Sequence, residues 1–467
     1  MTMTDVSSAI TEKMQGENLS ADLIKSFLRA VKLAHDGDDG VIHEDSIVPV
    51  TDIPDFTQLD DYAVEGKSAL AKSVMIKLNG GLGTSMGLAR AKSLLPVRDQ
   101  RCFLEVIAKQ VLHLREHYQS KLPLLFMNSF RTEEDTLNML NTIPELASGQ
   151  DSLPFSFLQN KVPKLDASNF HPASHASEPD LEWCPPGHGD IYIALKQSGI
   201  LKKLINNGYE YAFVSNADNL GAYLDPNLLG YFANSNAPFL MEVADRTSAD
   251  KKGGHIARDK QSGHLLLREV AQTRAEEIEL FQDIERHQYF NTNSLWLNLP
   301  ALQEVIVRHD GVIPLPIIVN RKTLDPTHKQ SQPIIQLESA MGAAIEVFEG
   351  SQAIRIDRDR FLPVKKTSDL LLLMSDLYRL EESGIVVRHG DSALPEISLD
   401  EQFFGQIDDF TRRFPHGVPS LAACTKLSVS GDVRFGANIR LIGNVTLSAD
   451  HGEPLFVEND TVVGEPN

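Results

Sequence analysis

The sequence predicts an α/β protein, in which a doubly wound sheet with helices on both faces is followed by a left-handed parallel β-helix. Short apolar runs alternate with helical patterns from residue 74 onward, as in strands and helices that build a mostly parallel sheet. Apolar residues then recur every six positions near the C-terminus, which favours a β-helix. The length of 467 residues exceeds the roughly 250–300 at which single cores stop growing, so two or three domains are expected.

The first segment, residues 1–70, is predicted to be helical. Five apolar residues share one face of a helix predicted over residues 21–34, namely Leu23, Ile24, Phe27, Leu28 and Val31. An apolar face of this kind docks on a larger core. A polar stretch rich in Asp and Pro follows to about residue 60, and we interpret it as a linker.

The central segment, residues 71–385, is predicted to be the α/β domain. Its apolar runs predict strands over residues 74–78, 122–128, 153–158, 209–215 and 238–243. One of the intervening helices is predicted over residues 103–114. In open α/β sheets ligands bind in the loops at the carboxyl ends of the strands, so we expect the functional residues in those loops.

The last segment, residues 386–467, contains two ladders of apolar residues with a spacing of six. They are Leu427, Val433, Ile439 and Val445, and Val429, Phe435, Leu441 and Leu447. Gly431 and Gly443 fall at turn positions between them. The pattern predicts a small left-handed β-helix, with a few antiparallel strands and glycine turns as the alternative. Because the end of a solenoid needs a cap, we expect this segment to pack against this chain or against a partner chain, and the second case allows a homo-oligomer.

Composition excludes several classes of protein. The formal net charge of -20 repels phosphate backbones, so no nucleic-acid partner is expected. Three cysteines lie far apart without CxxC spacing, which indicates neither a zinc site nor a disulfide framework. The N-terminus lacks the apolar core of a signal peptide, and the longest apolar run, residues 370–374, cannot span a bilayer. We therefore expect a cytoplasmic protein without a membrane partner.

The strongest functional signal is the glycine-rich stretch over residues 77–87. Gly80, Gly81 and Gly83 follow a predicted strand directly. Glycines let the backbone turn sharply, and their N–H groups can converge on phosphate oxygens. The spacings GxGxxG and GxxxxGK[ST] are both absent, which excludes a Rossmann fingerprint and a Walker A loop. A structural turn is the alternative.

A series of motifs resembles the eukaryotic-type UTP–glucose-1-phosphate uridylyltransferases (UDP-glucose pyrophosphorylases). In chain order the motifs are LNGGLGTSMG (78–87), QNKVPK (159–164), PPGHGD (185–190), SNADNLG (215–221), KGG (252–254), FNTNSLW (290–296), IQLE (335–338), FLPVK (361–365) and VSGDV (429–433). The resemblance implies a helical N-terminus, a central nucleotidyltransferase domain with a glycosyltransferase-A-like (Rossmann-like) mixed sheet, and a C-terminal β-helix. It implies the substrates UTP and glucose 1-phosphate, with Mg²⁺ as cofactor.

The resemblance also implies roles for individual residues. UTP would be bound by Leu78, Asn79, Gly80, Gly81, Lys92, Gln159, Gly187, Asn216, Asp218 and Lys365. The sugar phosphate would contact His188 and Asn293, Asp218 would hold Mg²⁺, and the catalytic cations would be Lys92, Lys252 and Lys365. Lys92 follows Ala91, where the family usually has proline. Taken alone, Asp218 could instead be a helix N-cap.

The implied reaction is attack of a glucose 1-phosphate oxygen on the α-phosphorus of UTP, with pyrophosphate leaving. The nucleophile is already ionised, so the reaction needs positioning and positive charge rather than a general base. Within the same fold, a UDP-N-acetylhexosamine or broad UDP-sugar pyrophosphorylase is the alternative. Those enzymes usually carry Ala and Arg where this chain has Asn79 and Ser85. From another class, a catalytically silent scaffold protein is the alternative.

Overall fold

The computed structural model describes residues 3–59, 61–328, 330–390, 393–449 and 452–465. Within these ranges the α-helices, in chain order, are α1 (Met3–Gly16), α2 (Ala21–His35), α3 (Ala63–Leu70), α4 (Phe103–Tyr118), α5 (Glu133–Leu140), α6 (Ile191–Gln197), α7 (Ile200–Asn206), α8 (Pro226–Ser235), α9 (Ile278–Phe281), α10 (Leu299–Arg308), α11 (Thr367–Met374), α12 (Glu401–Phe404) and α13 (Ile407–Arg413). None of these helices combines the length and the hydrophobicity needed to cross a lipid bilayer.

The strands of the same ranges fall into one large sheet and several small ones. In chain order they are β1 (Ile47–Pro49), β2 (Ser73–Asn79), β3 (Pro96–Arg98), β4 (Arg101–Cys102), β5 (Leu124–Asn128), β6 (Ser156–Leu158), β7 (Val162–Pro163), β8 (Leu165–Asp166), β9 (Trp183–Cys184), β10 (Tyr211–Asn216), β11 (Phe239–Asp245), β12 (His255–Asp259), β13 (Leu265–Arg268), β14 (Tyr289–Asn298), β15 (Ile318–Thr323), β16 (Pro333–Glu338), β17 (Gln352–Arg355), β18 (Tyr378–Leu380), β19 (Val386–Arg388), β20 (Glu396–Leu399), β21 (Ser420–Ser430), β22 (Val433–Phe435), β23 (Arg440–Ser448), β24 (Leu455–Val457) and β25 (Val462–Gly464).

The central sheet is mixed. Strands β10, β2, β5 and β6 pair in parallel, whereas β14 pairs antiparallel with β10, β11 and β12. Apolar clusters fill the space between this sheet and its helices, and all seven residues of β2 are buried. A strand buried on both faces reads as a continuous apolar run, which is why β2 was predictable. The prediction of a mostly parallel sheet is wrong, since β14 runs against three neighbours.

Among the predicted strands that begin later than expected, two are delayed by a residue with positive φ. The backbone of Leu122 has φ of 41°, which is outside the extended region, and Pro123 follows it. The strand predicted from residue 122 therefore begins at Leu124. In the same way Ser152 has φ of 64° and Pro154 lacks an N–H, so the strand predicted from residue 153 begins at Ser156.

The interpretation of the stretch before residue 60 as a linker is also wrong. Ile47 to Pro49 form β1, which pairs antiparallel with β12 at the edge of the central sheet. Ile47 and Val50 are buried, so this segment is part of the domain. The predicted helix over residues 21–34 is confirmed as α2, and Phe27 and Val31 of α2 share an apolar cluster with Ile10 of α1.

In the C-terminal segment the strands β20 to β25 pair in parallel, and the helices α12 and α13 lie between β20 and β21. Strands β20, β21, β23 and β25 form one parallel sheet, and β22 pairs in parallel with β24. The antiparallel alternative is therefore wrong for these strands. Of the two ladders, seven residues are buried, and Leu447 is half-buried. The apolar cluster that contains Leu427 and Val433 also contains Leu370 and Leu371 of α11, so the core is continuous across residue 386.

Candidate active site

The candidate site lies where β2 and β10 end side by side. The two strands are parallel, and Leu78 of β2 is paired with Asn216 of β10. The N–H of Ala217 donates to the carbonyl oxygen of Leu78 at 3.0 Å. The glycine-rich stretch and the loop that carries Asp218 therefore begin next to each other at one edge of the sheet, as expected for parallel strands.

Two lysines converge on the carboxylate of Asp218. Its Oδ2 accepts hydrogen bonds from Lys92 Nζ at 2.8 Å and from Lys365 Nζ at 3.0 Å. Lys92 also donates to the carbonyl oxygen of Val364. Burial by itself would raise the pKa of Asp218, but the charges of Lys365 and Lys92 outweigh it and lower that pKa. Asp218 is thus a carboxylate, and the three side chains together carry net positive charge.

The second carboxylate oxygen of Asp218 differs from the first in its hydrogen bonding. Asp218 Oδ1 is buried and has no hydrogen-bond partner within the described part of the chain. No helix begins at Asp218, which lies in a turn, and the N-cap of the next helix, α8, is Asp225. The N-cap alternative is therefore wrong. An unpartnered carboxylate oxygen suits Mg²⁺, which takes one or two protein carboxylates and completes its shell with phosphate oxygens and water.

No richer metal site competes with Asp218. Across the residues that the structure describes, no group of three or more His, Cys, Asp or Glu side chains is arranged to hold a metal ion. A structural zinc or calcium site would need such a group. A cation at Asp218 would therefore need further oxygen ligands from a bound phosphate or from water.

Gln159 joins two of the predicted glycines. Its Nε2 donates to the carbonyl oxygen of Gly187 at 3.0 Å. A Cβ at Gly80 would meet Gln159 Oε1 at 2.7 Å, and a Cβ at Gly187 would meet the carbonyl oxygen of Ser339 at 2.3 Å. Gly187 also has φ of +83°, which favours glycine. The sequence analysis placed Gly80, Gln159 and Gly187 in the UTP site, and in the structure these three residues lie close together.

Leu78 and Asn79 are less accessible than their predicted roles require. Both are buried at the end of β2. The Asn79 amide donates to Asn128 Oδ1 and to Thr136 Oγ1, each at 2.8 Å, and the carbonyl oxygen of Asn79 accepts from Thr132 Oγ1 at 2.7 Å. The protein itself therefore occupies the Asn79 side chain, which supports the loop. Gly81, in contrast, is exposed.

His188 is a neutral hydrogen-bond donor in this site. Its Nδ1 accepts the N–H of Met341 at 2.9 Å, so the ring proton is on Nε2. Burial, with a further contribution from the charge of Lys365, lowers the pKa of His188 to about 4. The imidazole therefore stays uncharged at neutral pH and can donate one hydrogen bond through Nε2.

Two predicted residues make no described contact with the Asp218 cluster. Asn293 has φ of 57° and exchanges hydrogen bonds with Asn291 at a bulge in β14. Lys252 is exposed, and its side chain forms no hydrogen bond or ion pair with any described residue. The turn that carries Lys252 is held by a hydrogen bond to the preceding residue, because Arg246 Nη2 donates to the carbonyl oxygen of Lys251 at 2.9 Å.

Sequence analysis assigned no role to a buried lysine beneath this site. Lys77 is completely buried, and its Nζ donates to Ser215 Oγ at 2.7 Å and to the carbonyl oxygen of Ala222 at 2.6 Å. Burial, followed by the charge of Arg360, lowers the pKa of Lys77 to about 7. A lysine inside the otherwise apolar run before the glycines was the available signal, because isolated buried lysines are rare.

The amino-acid sequence matches a known protein family along most of its length. The sequence profile described as UTP--glucose-1-phosphate uridylyltransferase matches residues 24–442. A relative from Schizosaccharomyces pombe, named probable UTP--glucose-1-phosphate uridylyltransferase, is 39% identical over 399 residues, which are 84% of this chain and 76% of the relative. A relative of the same activity from Pyrus pyrifolia is 38% identical over 430 residues, which are 91% of this chain and 86% of the relative.

Solved structures agree along nearly the whole chain. A mutant UDP-glucose pyrophosphorylase from Leishmania major in complex with UDP-glucose superimposes with a TM-score of 0.90 at 40% identity, covering 98% of each chain. An enzyme from Trypanosoma brucei, named UDP-glucose phosphorylase, gives a TM-score of 0.87 at 41% identity, covering 98% of this chain and 99% of that one. Since profile, relatives and structures all match over most of its length, the chain belongs to the UTP–glucose-1-phosphate uridylyltransferase family.

Proposed function

We propose that this chain makes UDP-glucose and pyrophosphate from UTP and glucose 1-phosphate, in a reversible reaction that depends on Mg²⁺. Family membership supports the activity, since two relatives are named UTP--glucose-1-phosphate uridylyltransferase and one solved relative is a UDP-glucose pyrophosphorylase in complex with UDP-glucose. The observation that carries the proposal is the Asp218 carboxylate. Lys92 Nζ and Lys365 Nζ lie 2.8 and 3.0 Å from its Oδ2, and its Oδ1 has no hydrogen-bond partner among the described residues.

The two substrates are both anionic, and the chain has a formal net charge of -20. The reaction therefore requires local positive charge, which Lys92 and Lys365 supply at the ends of the strands. The attacking phosphate oxygen is ionised near neutral pH, so no group has to remove its proton. Catalysis then consists of aligning the oxygen with the α-phosphorus and stabilising charge on the way to pyrophosphate. Lys92 neutralises the triphosphate, and Lys365 contacts the reacting phosphates.

Asp218 is the residue that would hold Mg²⁺, through Oδ1. When bound there, the ion supplies charge neutralisation to the phosphate oxygens. Asp218 Oδ2 keeps the two lysine ammonium groups together, which limits the positions they can take. The side chain thus separates its two tasks between its two oxygens.

The remaining predicted residues distribute over the two substrates. Uracil contacts Gln159 and the backbone of Gly80, Gly81 and Gly187, since an amide both donates to and accepts from a pyrimidine edge. Leu78, Asn79 and Asn216 shape the floor where β2 and β10 end. On the sugar side, His188 donates from Nε2 and Asn293 offers its amide at the β14 bulge, while the exposed Lys252 serves as a further catalytic cation.

Pyrophosphate release tests the proposal against its alternatives. The purified chain is assayed with UTP and a panel of sugar 1-phosphates, and with ATP or GTP in place of UTP. We expect release with UTP and glucose 1-phosphate, and a strong preference for UTP, because a site that hydrogen-bonds its substrate rejects analogues well. Release with N-acetylglucosamine 1-phosphate alone would favour the UDP-N-acetylhexosamine pyrophosphorylase. No release with any sugar would favour the scaffold protein.

Architecture and assembly complete the proposal. We infer a glycosyltransferase-A-like catalytic domain over residues 71–385, to which the largely helical segment 1–70 adds the edge strand β1, and a left-handed β-helix over 386–467. The six-residue ladders and the parallel pairing of β20 to β25 support the β-helix. Within the described residues β25 is an edge strand of the parallel sheet, and a second copy can cover that edge, so we infer a homo-oligomer. Three free cysteines agree with a cytoplasmic location.

A further inference from the structure

The segment that ends in Lys365 is joined to the loop that carries Asp218 by a short antiparallel contact. Pro363 faces Asn219 across an isolated β-bridge. The N–H of Val364 donates to the carbonyl oxygen of Asp218 at 3.1 Å. The side chain of Lys365 is 59% exposed, so packing does not hold it, and the location of its backbone decides where its ammonium group can reach.

The side chain of Asn219 provides a hydrogen bond between the two segments that the backbone around Pro363 cannot form. Pro363 has no N–H, so the bridge cannot form a regular ladder. Instead, Asn219 Oδ1 accepts the N–H of Leu362 at 2.7 Å and the N–H of Gly221 at 3.2 Å. The side chain is 2% exposed, so water cannot replace these bonds. One amide thereby ties the loop after β10 to the segment before Lys365.

The other end of the segment is fixed by a buried ion pair. Arg360 donates from Nε and Nη2 to Glu242, with both distances at 3.1 Å, and from Nη2 to the carbonyl oxygen of Tyr223 at 2.9 Å. Glu242 Oε1 also accepts Trp296 Nε1 at 2.9 Å. The stretch from Arg360 to Lys365 is therefore held at its root by a rigid pair and at its middle by Asn219.

We propose that Asn219 is a positioning residue, which sets the register of Lys365 against Asp218 without touching either substrate. This inference rests on the proposed function. Without the amide, the N–H of Leu362 is left unpaired, the segment shifts, and Lys365 loses its alignment with the reacting phosphates. A displacement of about 1 Å in such an arrangement can cost on the order of 10²-fold in rate.

A double-mutant cycle tests this role. Asn219→Ala, Lys365→Ala and the double variant are compared by single-turnover rates and by KM for UTP, with melting temperatures as the check on folding. We expect Asn219→Ala alone to lower the rate about 10- to 100-fold while KM for UTP stays within about threefold, since uracil is bound elsewhere. In the Lys365→Ala background, the same change should alter the rate by less than about twofold.

The matched control is Asn298→Ala. Asn298 Oδ1 likewise accepts a backbone N–H, from Ala301 at 2.9 Å, but it pairs with Tyr211 at the opposite end of β10. We expect its rate to match the wild type even if its melting temperature falls. If Asn219→Ala does not fold, Asn219→Ser, which keeps an oxygen with a shorter reach, takes its place in the cycle.

Equal fold-losses in the two backgrounds would overturn the inference, because Asn219 would then act independently of Lys365. An unchanged rate in Asn219→Ala would overturn it as well. A wild-type chain without uridylyltransferase activity would overturn the proposed function and this inference together. An active wild type with equal losses overturns the inference alone, so the two failures are distinguishable.

Discussion

Two groups of charged side chains in this protein use the same chemistry for different ends. The Asp218 cluster comprises Asp218, Lys92 and Lys365 at the carboxyl ends of the strands. The second group, which we name the Glu44 cluster, links the start of the chain to the far edge of the central sheet, and its members are Glu44, Arg268, Glu277, Arg286 and His287. Both are built around a largely buried carboxylate.

The clusters differ in what the carboxylate leaves open. Glu44 Oε1 accepts Arg286 Nε at 2.7 Å and His287 Nε2 at 3.0 Å, while Oε2 accepts Arg268 Nη1. Two arginines balance two glutamates, because Arg268 also pairs with Glu277 at 2.5 Å. In the Asp218 cluster one oxygen takes both lysines and the other has no partner within the described residues. A cluster whose central carboxylate is partnered on both oxygens and balanced in charge supports the fold, whereas a cluster with an unpartnered carboxylate oxygen and excess positive charge can take up a cation and anionic phosphates.

The largest effect on catalysis is expected from Lys365→Ala. Removing one preorganised charge contact at a transition state costs on the order of 10²–10³ in kcat, and we expect a loss of that size, mainly in kcat. Lys366→Ala is the matched control. Lys366 Nζ pairs with Glu401 at 2.8 Å and both side chains are exposed, so kcat should stay within a few-fold of wild type. Steady-state kinetics of the two variants test this assignment. A large loss of kcat in Lys366→Ala would show that Lys366, and not Lys365, is the catalytic lysine.

Asp218→Asn is expected to have the next largest effect. The substitution keeps the shape but removes the charge that Mg²⁺ and the two lysines need. We expect kcat to fall and the Mg²⁺ concentration for half-maximal rate to rise about tenfold or more, with a smaller fall in melting temperature than Glu44→Gln causes, because Lys365 is exposed and stays solvated. Asp225→Asn is the control, because Asn caps a helix as well as Asp does. A Mg²⁺ titration that is identical in Asp218→Asn and wild type would contradict the assignment.

The comparison also shows which features a sequence can predict. Glycine-rich and acidic loops that directly follow apolar strands were predictable, because parallel strands bring their carboxyl ends together. Lys92 and Lys365 were assigned only through the family resemblance, which the comparisons confirm. Nothing in the sequence shows that the Asn79 amide is occupied by Asn128 and Thr136, since these are contacts with a neighbouring strand, β5, and with a helix, α5.

The Glu44 cluster was not predictable. Glu44 lies in a stretch that composition indicates to be a linker, and its partners come from more than 220 residues further along the chain. Sequence patterns report periodic burial, whereas this cluster is a set of single polar residues in irregular segments. Its existence explains why the segment before residue 60 is part of the domain.

The smallest effect on kcat, with the clearest effect on stability, is expected from Glu44→Gln. Arg268 is fully buried, so removing the charge of Glu44 takes away one of its two carboxylate partners and leaves Glu277. Breaking a buried pair costs about 3–5 kcal/mol when no other partner remains, and Glu277 offsets part of that loss. We therefore expect a lower melting temperature at pH 7, with kcat within about twofold of wild type. Glu401→Gln, the same change in an exposed pair, should leave the melting temperature nearly unchanged.

The difference in melting temperature between the wild type and Glu44→Gln should depend on pH if Glu44 acts through its charge. Burial would raise the pKa of Glu44, but hydrogen bonds from Arg286, His287 and Arg268 together lower it. A carboxyl whose pKa is lower in the folded chain stabilises the fold above its unfolded value of about 4.3, and this contribution disappears as pH falls through the folded value. The gap in melting temperature between wild type and Glu44→Gln should therefore be full at pH 7 and shrink below about pH 4. A gap that persists unchanged in acid would mean that Glu44 acts through packing rather than through its charge.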